Sequence, residues 1–554
     1  MGGAAWAYCF HFLPGGDYWE HAAALRAWSD NLFNPGNPQL ETPEASPRYT
    51  PLILPIAAGK ALFGWSVDTA MAVMALFNAA VLLAGVHAFA RAHVQMAWAP
   101  VALLLVMVGA WGPDPLIWSG VYAAPSLVYV LPYASTGAFG AALLTLAGLT
   151  WLLRRRAPKA LLLAGLSGAV AVVISAHLLT GAFMLGAAGL VIVFNRAAGR
   201  RLKILAAGAV GAGFLLAFAW PYYDVLAVLT QGGGDRVWFL NPEVRRQAPT
   251  VSRFYRIEQL ASAAGVAFLG LGSALWFALR RGRGVYLAGI VLFSAPYLAN
   301  LVFAIPLGHR FLVFAVFFMH LALAHHGLLL LARWRRARAA TPAPVKLGAG
   351  LAAMVLVTAL AAALIRAGDR LPARSGPPVW SEASGFETSR LARAAARLGP
   401  DAVAAGEVRR TWRLGAHGVP VLSLLHPNPL VADLDARTAA NTLLMLPEAD
   451  PGVREAILER YGVTHLLLHE RFLAPFGELA AHESWLGAPI AVHGPLRVYA
   501  APAPSRSGAS PDALSQEAFE TRVRCALLET VRARLEAQGA RGRVRPDAWE
   551  ACQS

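Results

Sequence analysis

A short stretch near the start of the chain carries residue types suited to proton transfer. Residues 14–21 read PGGDYWEH, so Asp17, Glu20 and His21 follow the first apolar run within five residues. A carboxylate beside a bound hydroxyl group can act as a general base. We therefore take Asp17 and Glu20 as candidate catalytic residues and His21 as a candidate substrate-binding residue.

Further candidates follow other apolar runs, at positions that the charge pattern described below assigns to the same side of a membrane. Guanidinium groups bind phosphate through charge-assisted hydrogen bonds. Ionisable groups at a membrane boundary cost desolvation free energy, so their recurrence favours a functional interpretation. The other candidate substrate-binding residues are Arg48, Tyr49, Asp114, His177, Thr180, His309 and Arg310.

Several candidates also have structural interpretations, which the sequence leaves open. Asp17 follows two glycines and is placed to cap the helix that follows, and Glu20 is three residues on, where a capping box has its acidic residue. Arg48 and Arg310 are also typical of interfacial anchors. Asp114, between two prolines, is also typical of a turn.

The elements that must position these residues are predicted to be membrane helices. The chain is 57% hydrophobic and 14% charged, with a mean hydropathy of +0.49. Apolar runs of the kind that cross bilayers recur up to about residue 365. This pattern predicts a polytopic α-helical membrane domain over 1–366, with a first outer loop at 14–48 and a re-entrant or interfacial segment at 51–64. About eleven spans are expected, near 1–13, 66–90, 97–112, 128–152, 160–176, 178–195, 204–221, 260–279, 285–307, 311–332 and 347–365.

The distribution of charge predicts the orientation of these spans. Residues 1–366 contain 27 Lys and Arg against 11 Asp and Glu, whereas residues 367–554 contain 21 of each, so the whole net charge of +16 belongs to the membrane part. The basic clusters follow every second apolar run, as the positive-inside rule expects of cytoplasmic loops. We therefore expect a multi-pass protein of a bacterial inner membrane, with a cytoplasmic N-terminus, an external C-terminal domain and no nucleic-acid partner.

After a hinge at 367–385, the sequence predicts an extracytoplasmic α/β domain at 386–502. Strands are expected at DAVAAG, VPVLSL, VTHLLLH and LRVYA, and helices near 386–398, 434–446, 451–461 and 472–482. A linker and an amphipathic helix fill 503–554. The domain shows no zinc-ligand spacing, phosphate loop or nucleophile elbow. Structural or surface roles are expected for its histidines, which include His417, His426, His465 and His469.

Two further expectations concern the cysteines and the first residue. Cys525 and Cys552 both fall in the predicted external domain, where a disulfide is chemically permitted. Their pairing requires a Cα separation that sequence does not reveal. The first apolar run has thirteen residues, fewer than the roughly 17–25 of a crossing helix, which favours a true start further upstream.

Four of these stretches resemble the GT-C superfamily of membrane glycosyltransferases. GGDYWEHAAALRAWSDNLFNPGNP, followed by SPRYTPLILPIAAGKALFG, is similar to the family's first outer loop, with its acidic start, amphipathic helix and return to the membrane. SAHLLTG resembles the family's His and Thr-Gly turn. GHRFLVFAVFFMHLALA resembles a late span with an arginine at its outer end, and ILERYGVTHLLLHERF resembles the helix, YGV and strand of the external domain.

The resemblance implies transfer of a sugar from a polyprenyl-phosphate or polyprenyl-diphosphate donor to a saccharide, lipid or protein acceptor at the outer face. By position, Asp17 would deprotonate the acceptor hydroxyl in an inverting displacement. Arg310, with Arg48 or His309, would hold the lipid phosphate. No second acidic residue adjoins Asp17, and Asp114 stands alone where the family has an acidic pair. These departures weaken the case for a bound metal, so a divalent cation stays an open alternative, and they leave room for a non-catalytic member.

Two other functional classes compete with the transferase. A transporter or flippase for a lipid-linked saccharide is disfavoured by the odd number of spans, the neutral external domain and the lack of ionisable residues in mid-span. A catalytically silent member, acting as a scaffold in envelope assembly, would have Asp17 sealed away from any pocket.

Overall fold

The structure is a computed structural model. It describes residues 17–112, 119–155, 159–231, 257–303, 307–336, 386–426, 428–470, 479–502 and 514–537. Several predicted features lie outside the described residues, namely the spans at 1–13 and 347–365, the hinge at 367–385, Asp114 and Cys552. The chain divides into two compact units. Residues 19–49 group with the C-terminal part, and the other described residues up to 229 and from 257 to 336 form the membrane unit.

Apolar helices form the membrane unit. Five of the helical segments are long and apolar enough to cross a bilayer, and five others are apolar but shorter. The nine predicted spans within the described residues coincide with such segments, and the count of eleven crossings stays a prediction. The helices before the C-terminal part are Tyr18–Asp30, Leu54–Phe63, Val67–His93, Ala99–Gly109, Ala124–Val130, Ala134–Leu152, Ala160–Ala176, Leu178–Phe194, Arg200–Leu216, Val225–Gln231, Ile257–Ala264, Leu269–Arg281, Val285–Phe303 and Leu312–Arg336.

Small and amide side chains allow two membrane helices to approach closely. A Cβ added at Gly85 would lie 2.3 Å from the carbonyl oxygen of Gly140 on the facing helix. The fully buried Asn78 donates its amide to the carbonyl oxygens of Leu131 and Tyr133, at 2.8 and 3.0 Å. Close backbone approach and interhelical hydrogen bonds stabilise helix pairs in apolar surroundings. The Asn78 bonds also satisfy carbonyls at the break before Ala134, which explains why the predicted span 128–152 is not one continuous helix.

The C-terminal part has the expected α/β architecture, with a four-stranded mixed sheet. Its strands are β1 (Ala404–Gly406), β2 (His465–His469), β3 (Ala491–His493) and β4 (Leu496–Ala500), in the order β1-β2-β4-β3. β1 and β2 are parallel, and the other two pairings are antiparallel. The helices of this part are Phe386–Ala395, Val408–Thr411, Leu434–Leu444, Pro451–Arg460, Leu479–Leu486 and Gln516–Ala537.

Both faces of this sheet are covered, which explains its nearly continuous apolar strands. Leu466 and Leu468 of β2 point into one core cluster. Leu467, between them, belongs to the other cluster, as the alternation of a strand requires. The final helix contributes Phe519 and Val523 to the first cluster, so the amphipathic helix predicted at the C-terminus is part of the domain core.

Two details of the sheet differ from the sequence-based prediction. VPVLSL does not form a strand and makes an isolated parallel bridge between Ala404 and Val421. The Val421 amide instead donates to the carbonyl oxygen of Gln39 in the first loop, at 2.7 Å. Pro420 also lacks an N–H group for a ladder. The short β3 is absent from the prediction.

The first loop packs with the C-terminal part, whereas the sequence assigns residues 14–48 to the membrane domain. Leu40 is buried in the second core cluster of the α/β domain. The Gln39 side-chain amide donates to the Trp412 carbonyl oxygen at 2.9 Å, and the Asn428 side chain donates to the Ala45 carbonyl oxygen at 3.2 Å. Burial of Leu40 and these long-range hydrogen bonds join the loop to the C-terminal part.

Candidate functional site

Asp17 directly precedes the helix Tyr18–Asp30, here called the loop helix. The residue after it is fixed within the membrane unit, because the buried Tyr18 hydroxyl donates to the Asp68 carboxylate at 2.6 Å. Asp68 lies in the first turn of the helix Val67–His93. A charge-assisted hydrogen bond of this length is among the stronger kinds. The backbone beside Asp17 is therefore anchored at the start of a membrane helix, and the predicted capping role of Asp17 stays a prediction.

Glu20, two residues further on from Tyr18, is the centre of an ionic cluster that we call the clamp. Its side chain is 6% exposed, and both of its oxygens have partners. The Arg48 Nε–H donates to Oε2 at 2.7 Å, and His426 Nδ1 lies 2.6 Å from Oε1. Because an ionised carboxylate can only accept, His426 Nδ1 is the donor. The Trp412 ring contacts the His426 ring edge-on at a centroid distance of 5.5 Å.

The clamp gives two candidate residues a structural role beside the predicted one. Both oxygens of Glu20 have a donor, Arg48 or His426, which supports a positioning role, and the predicted catalytic role of Glu20 stays a prediction. The Arg48 guanidinium binds the same carboxylate, and its predicted contact with the substrate stays a prediction. Arg48 and His426 each remain 27% exposed, so both can reach water at one side.

His21 follows Trp19, a residue with aromatic and cationic contacts within the same unit, at a spacing of two positions. His21 is buried, 4% exposed. Two residues before His21, the Trp19 ring lies beneath the Arg413 guanidinium at 5.4 Å and beside the His417 ring at 6.1 Å. Burial, with a smaller contribution from the Arg26 charge, lowers the pKa of His417 to about 4. His417 is therefore neutral at pH 7.

Tyr49 closes the loop through contacts within it. Its hydroxyl donates to the Gly36 carbonyl oxygen at 2.9 Å, and its ring meets Trp28 edge-on at 5.2 Å. The residue is 1% exposed, and burial raises the pKa of its hydroxyl above the ordinary value. These contacts give Tyr49 a role in holding the loop, beside the substrate-binding role that the sequence predicts.

His177 and Thr180 are brought together at the turn between two membrane helices. His177 ends the helix Ala160–Ala176 and caps the next helix, because its Nδ1 accepts from the Thr180 amide at 3.3 Å. The same nitrogen lies 2.8 Å from the Thr180 hydroxyl. The spacing of the SAHLLTG motif is thus explained by N-capping chemistry, and a role in substrate binding stays a prediction.

His309 and Arg310 lie in a single 3-10 turn, Gly308–Phe311, that leads into the helix Leu312–Arg336. His309 is buried and Arg310 is half-buried. Leu307, just before the turn, has a left-handed backbone with φ 58°. This conformation is costly for a residue with a branched side chain. The turn therefore holds the two side chains in a defined place within the membrane unit.

The structure leaves several site expectations as predictions. Convergence of Asp17, His177, His309 and Arg310 on one pocket stays a prediction, as do the substrate contacts of His21. Asp114 lies outside the described residues. Within the described ranges, no group of three or more His, Cys, Asp or Glu side chains comes together as a metal site.

His426 is the functional candidate that sequence reasoning missed. The sequence indicates a structural or surface histidine, and 406 positions separate it from Glu20. Nothing in its local context, LLHPNP, signals a partner in the first loop. A buried carboxylate requires hydrogen-bond donors nearby. The only sequence signal for His426 is therefore indirect: if Glu20 is buried, a donor to it must come from elsewhere in the chain.

Comparison with solved structures shows that the chain is similar in fold to proteins whose structures are known. The likeness agrees with the long apolar helices of the membrane unit and the smaller α/β part described above. No model of a known protein family matches the sequence, and no curated protein matches it either.

Two solved structures illustrate the likeness. One is the arabinofuranosyltransferase AftD from Mycobacteria, in its R1389S mutant form, with 14% identity over 90% of this chain and a TM-score of 0.52. The other is ArnT from Cupriavidus metallidurans in the apo state, with 14% identity over 90% of this chain and a TM-score of 0.50. The chain spans 42% of the length of AftD and 95% of that of ArnT. At this level of identity the likeness shows the fold.

Proposed function

We propose that the chain is a membrane glycosyltransferase that takes its sugar from a polyprenyl-phosphate or polyprenyl-diphosphate donor. The acceptor is a saccharide, lipid or protein at the extracytoplasmic face. The fold shared with AftD and ArnT supports the transferase class. The observation that carries the site is the anchored start of the loop helix, where the Tyr18–Asp68 hydrogen bond fixes the residue next to Asp17.

In the proposed mechanism, Asp17 is the general base. Its carboxylate accepts the proton of the acceptor hydroxyl as that oxygen attacks the anomeric carbon. The bond from this carbon to the donor phosphate breaks, and the polyprenyl phosphate leaves with the bonding electron pair. Attack from the opposite face inverts the anomeric configuration. Arg310 and His309, held in the turn Gly308–Phe311, stabilise the charge that develops on the leaving phosphate.

The grouping of the first loop with the C-terminal part supports the proposed orientation. Leu40, Gln39 and Glu20 all contact residues beyond 390, so the loop and the α/β domain must lie on the same side of the membrane. The positive-inside rule assigns that side to the exterior, which agrees with chemistry at the outer face.

The test is donor turnover by the full chain in liposomes. Synthetic undecaprenyl-phosphate-linked sugars serve as donors and an extract of bacterial envelope serves as acceptor, and release of undecaprenyl phosphate is followed by mass spectrometry. Asp17→Asn removes the base and is expected to lower turnover about 100- to 10,000-fold, the usual contribution of a general base. Asp30→Asn, at the exposed far end of the same helix, is the matched control and should retain full turnover.

Two outcomes would overturn the proposal. Undiminished turnover by a folded Asp17→Asn protein would exclude Asp17 as the base. A wild-type protein without turnover on any donor in the panel would favour the catalytically silent scaffold. That alternative has one supporting observation, because Glu20 and Tyr49 are both committed to contacts that hold the loop.

A further inference from the structure

A second polar site lies at the other end of the membrane unit, where two helices end. The helices Leu269–Arg281 and Leu312–Arg336 both finish in arginine-rich sequence. Near their ends the Trp276 indole stacks on the His326 ring, with centroids 4.6 Å apart and planes inclined by 12°. The Arg281 and Arg333 guanidinium carbons lie 5.6 and 5.8 Å from the centroid of the same indole. The Trp276 ring therefore contacts an arginine from each of the two helices.

Among the described residues, no carboxylate side chain balances the positive charge at this place. Arg280, Arg281, Arg283, Arg333 and Arg335 form no ion pair with a carboxylate among the residues that the structure describes. The two helix C-termini supply roughly half a negative charge each, about one in total against five positive charges. The described ends of these two helices therefore carry a net positive charge.

Apolar side chains beside the arginines indicate what kind of anion fits. Leu275, Leu279 and Leu330 are exposed, with Leu279 at 81%. In a membrane protein such leucines contact acyl chains, and a tryptophan at a helix end is typical of the headgroup level. Basic pockets between membrane helices on the cytoplasmic side are suited to anionic headgroups. A soluble anion would contact only the arginines, whereas a phospholipid would contact the arginines through its headgroup and the leucines through its acyl chains.

We propose that Trp276, His326, Arg281 and Arg333 form a binding site for the phosphate headgroup of an anionic phospholipid. The two guanidinium groups donate to the phosphate oxygens, and the indole orients the guanidinium groups through cation–π contacts. Leu275 and Leu279 receive the start of an acyl chain. This site is separate from the proposed transferase chemistry and does not depend on it.

Native mass spectrometry of the detergent-solubilised full chain, titrated with phosphatidylglycerol, tests the proposal. The variant Arg281→Gln/Arg333→Gln is expected to bind the first lipid about 30-fold more weakly, because each arginine near the surface contributes roughly a factor of five. The matched control is Arg200→Gln/Arg201→Gln, which removes equal charge from another exposed basic cluster and should change the affinity less than twofold, far below the effect per surface arginine. Trp276→Phe, which weakens the cation–π contacts, should give an intermediate loss.

Each other outcome overturns the proposal. Equal weakening by the two arginine pairs would mean that bulk charge alone attracts the lipid. Equal binding of phosphatidylcholine and phosphatidylglycerol to the wild type would exclude headgroup recognition. Displacement of the lipid by millimolar inorganic phosphate would assign the site to a soluble anion. If the double arginine variant misfolds, unchanged lipid binding by Trp276→Phe would refute the site by itself.

Discussion

Removing His426 should loosen the loop helix without unfolding the membrane unit. The substitution His426→Ala deletes the donor to Glu20 Oε1, which lies 2.6 Å away, and leaves Arg48 on the other oxygen. A hydrogen bond to a charged group contributes about 1.5–3 kcal/mol. Since His426 is 27% exposed and Glu20 keeps one cationic partner, we take a value of about 2 kcal/mol within that range. This loss corresponds to an equilibrium constant for local opening of the loop helix that is about 30-fold larger in His426→Ala than in the wild type.

Hydrogen exchange of the full chain in detergent measures this directly, because amide exchange reports local opening free energies. Peptides covering the loop helix, Tyr18–Asp30, should exchange about 30-fold faster in His426→Ala, the same factor as in the opening equilibrium. Peptides from the membrane helix Ala160–Ala176 should keep their wild-type rates. The matched control is His493→Ala, a histidine of β3 in the same domain, which should leave the loop helix unchanged.

A double-mutant cycle distinguishes the clamp from general loss of packing. Glu20→Gln removes the shared charge, so adding His426→Ala to it should cost less than His426→Ala costs alone. Strict additivity of the two changes would refute a direct interaction. Wild-type exchange of the loop helix in His426→Ala would refute the claim that His426 restrains it. An equal rise in every peptide would show a global effect instead.

Three further predictions concern the C-terminal part. Because the pKa of His417 is lowered to about 4, the unfolded state binds more protons between pH 4 and 6.5. The free energy of unfolding of the wild type should therefore fall by at most about 3 kcal/mol as the pH falls through that window. His417→Gln should flatten this dependence, and an unchanged pH profile would contradict the prediction. Gly406→Ala should lower the unfolding midpoint more than Gly462→Ala, since both have positive φ but a Cβ at Gly406 would lie 2.1 Å from the backbone carbonyl oxygen of Leu467, whereas Gly462 has open space; equal losses would contradict it. Cys525 is disulfide-bonded in the structure, so maleimide should label one of the three cysteines of denatured, unreduced chain and all three after reduction; three labels without reduction would exclude the bridge.

The membrane helices were predictable because the bilayer imposes a length and a composition on them. The spans expected at 160–176 and 178–195 match the helices Ala160–Ala176 and Leu178–Phe194 almost to the residue. His177 interrupts the apolar run there, and basic residues end it on the far side. Local sequence therefore contains nearly all the information that sets these boundaries.

The candidate site was less predictable because its contacts are long-range. Apolar pattern places Asp17 and Glu20 beside a membrane, but it carries no information on which distant side chain compensates a buried carboxylate. The failed strand at VPVLSL has the same origin. Its alternation is typical of a strand, and the Val421 amide is taken by the Gln39 carbonyl, 382 positions earlier.

The first turn of the loop helix is held by two independent anchors. Tyr18 is bonded to Asp68 of a membrane helix, and Glu20 is bonded to Arg48 and to His426 of the C-terminal part. A catalytic carboxylate must keep its orientation to well within 1 Å to remain effective. Both anchored residues follow Asp17 within three positions and restrict the backbone on that one side, so we expect a loss at either anchor to lower turnover through kcat more than through the KM for the donor.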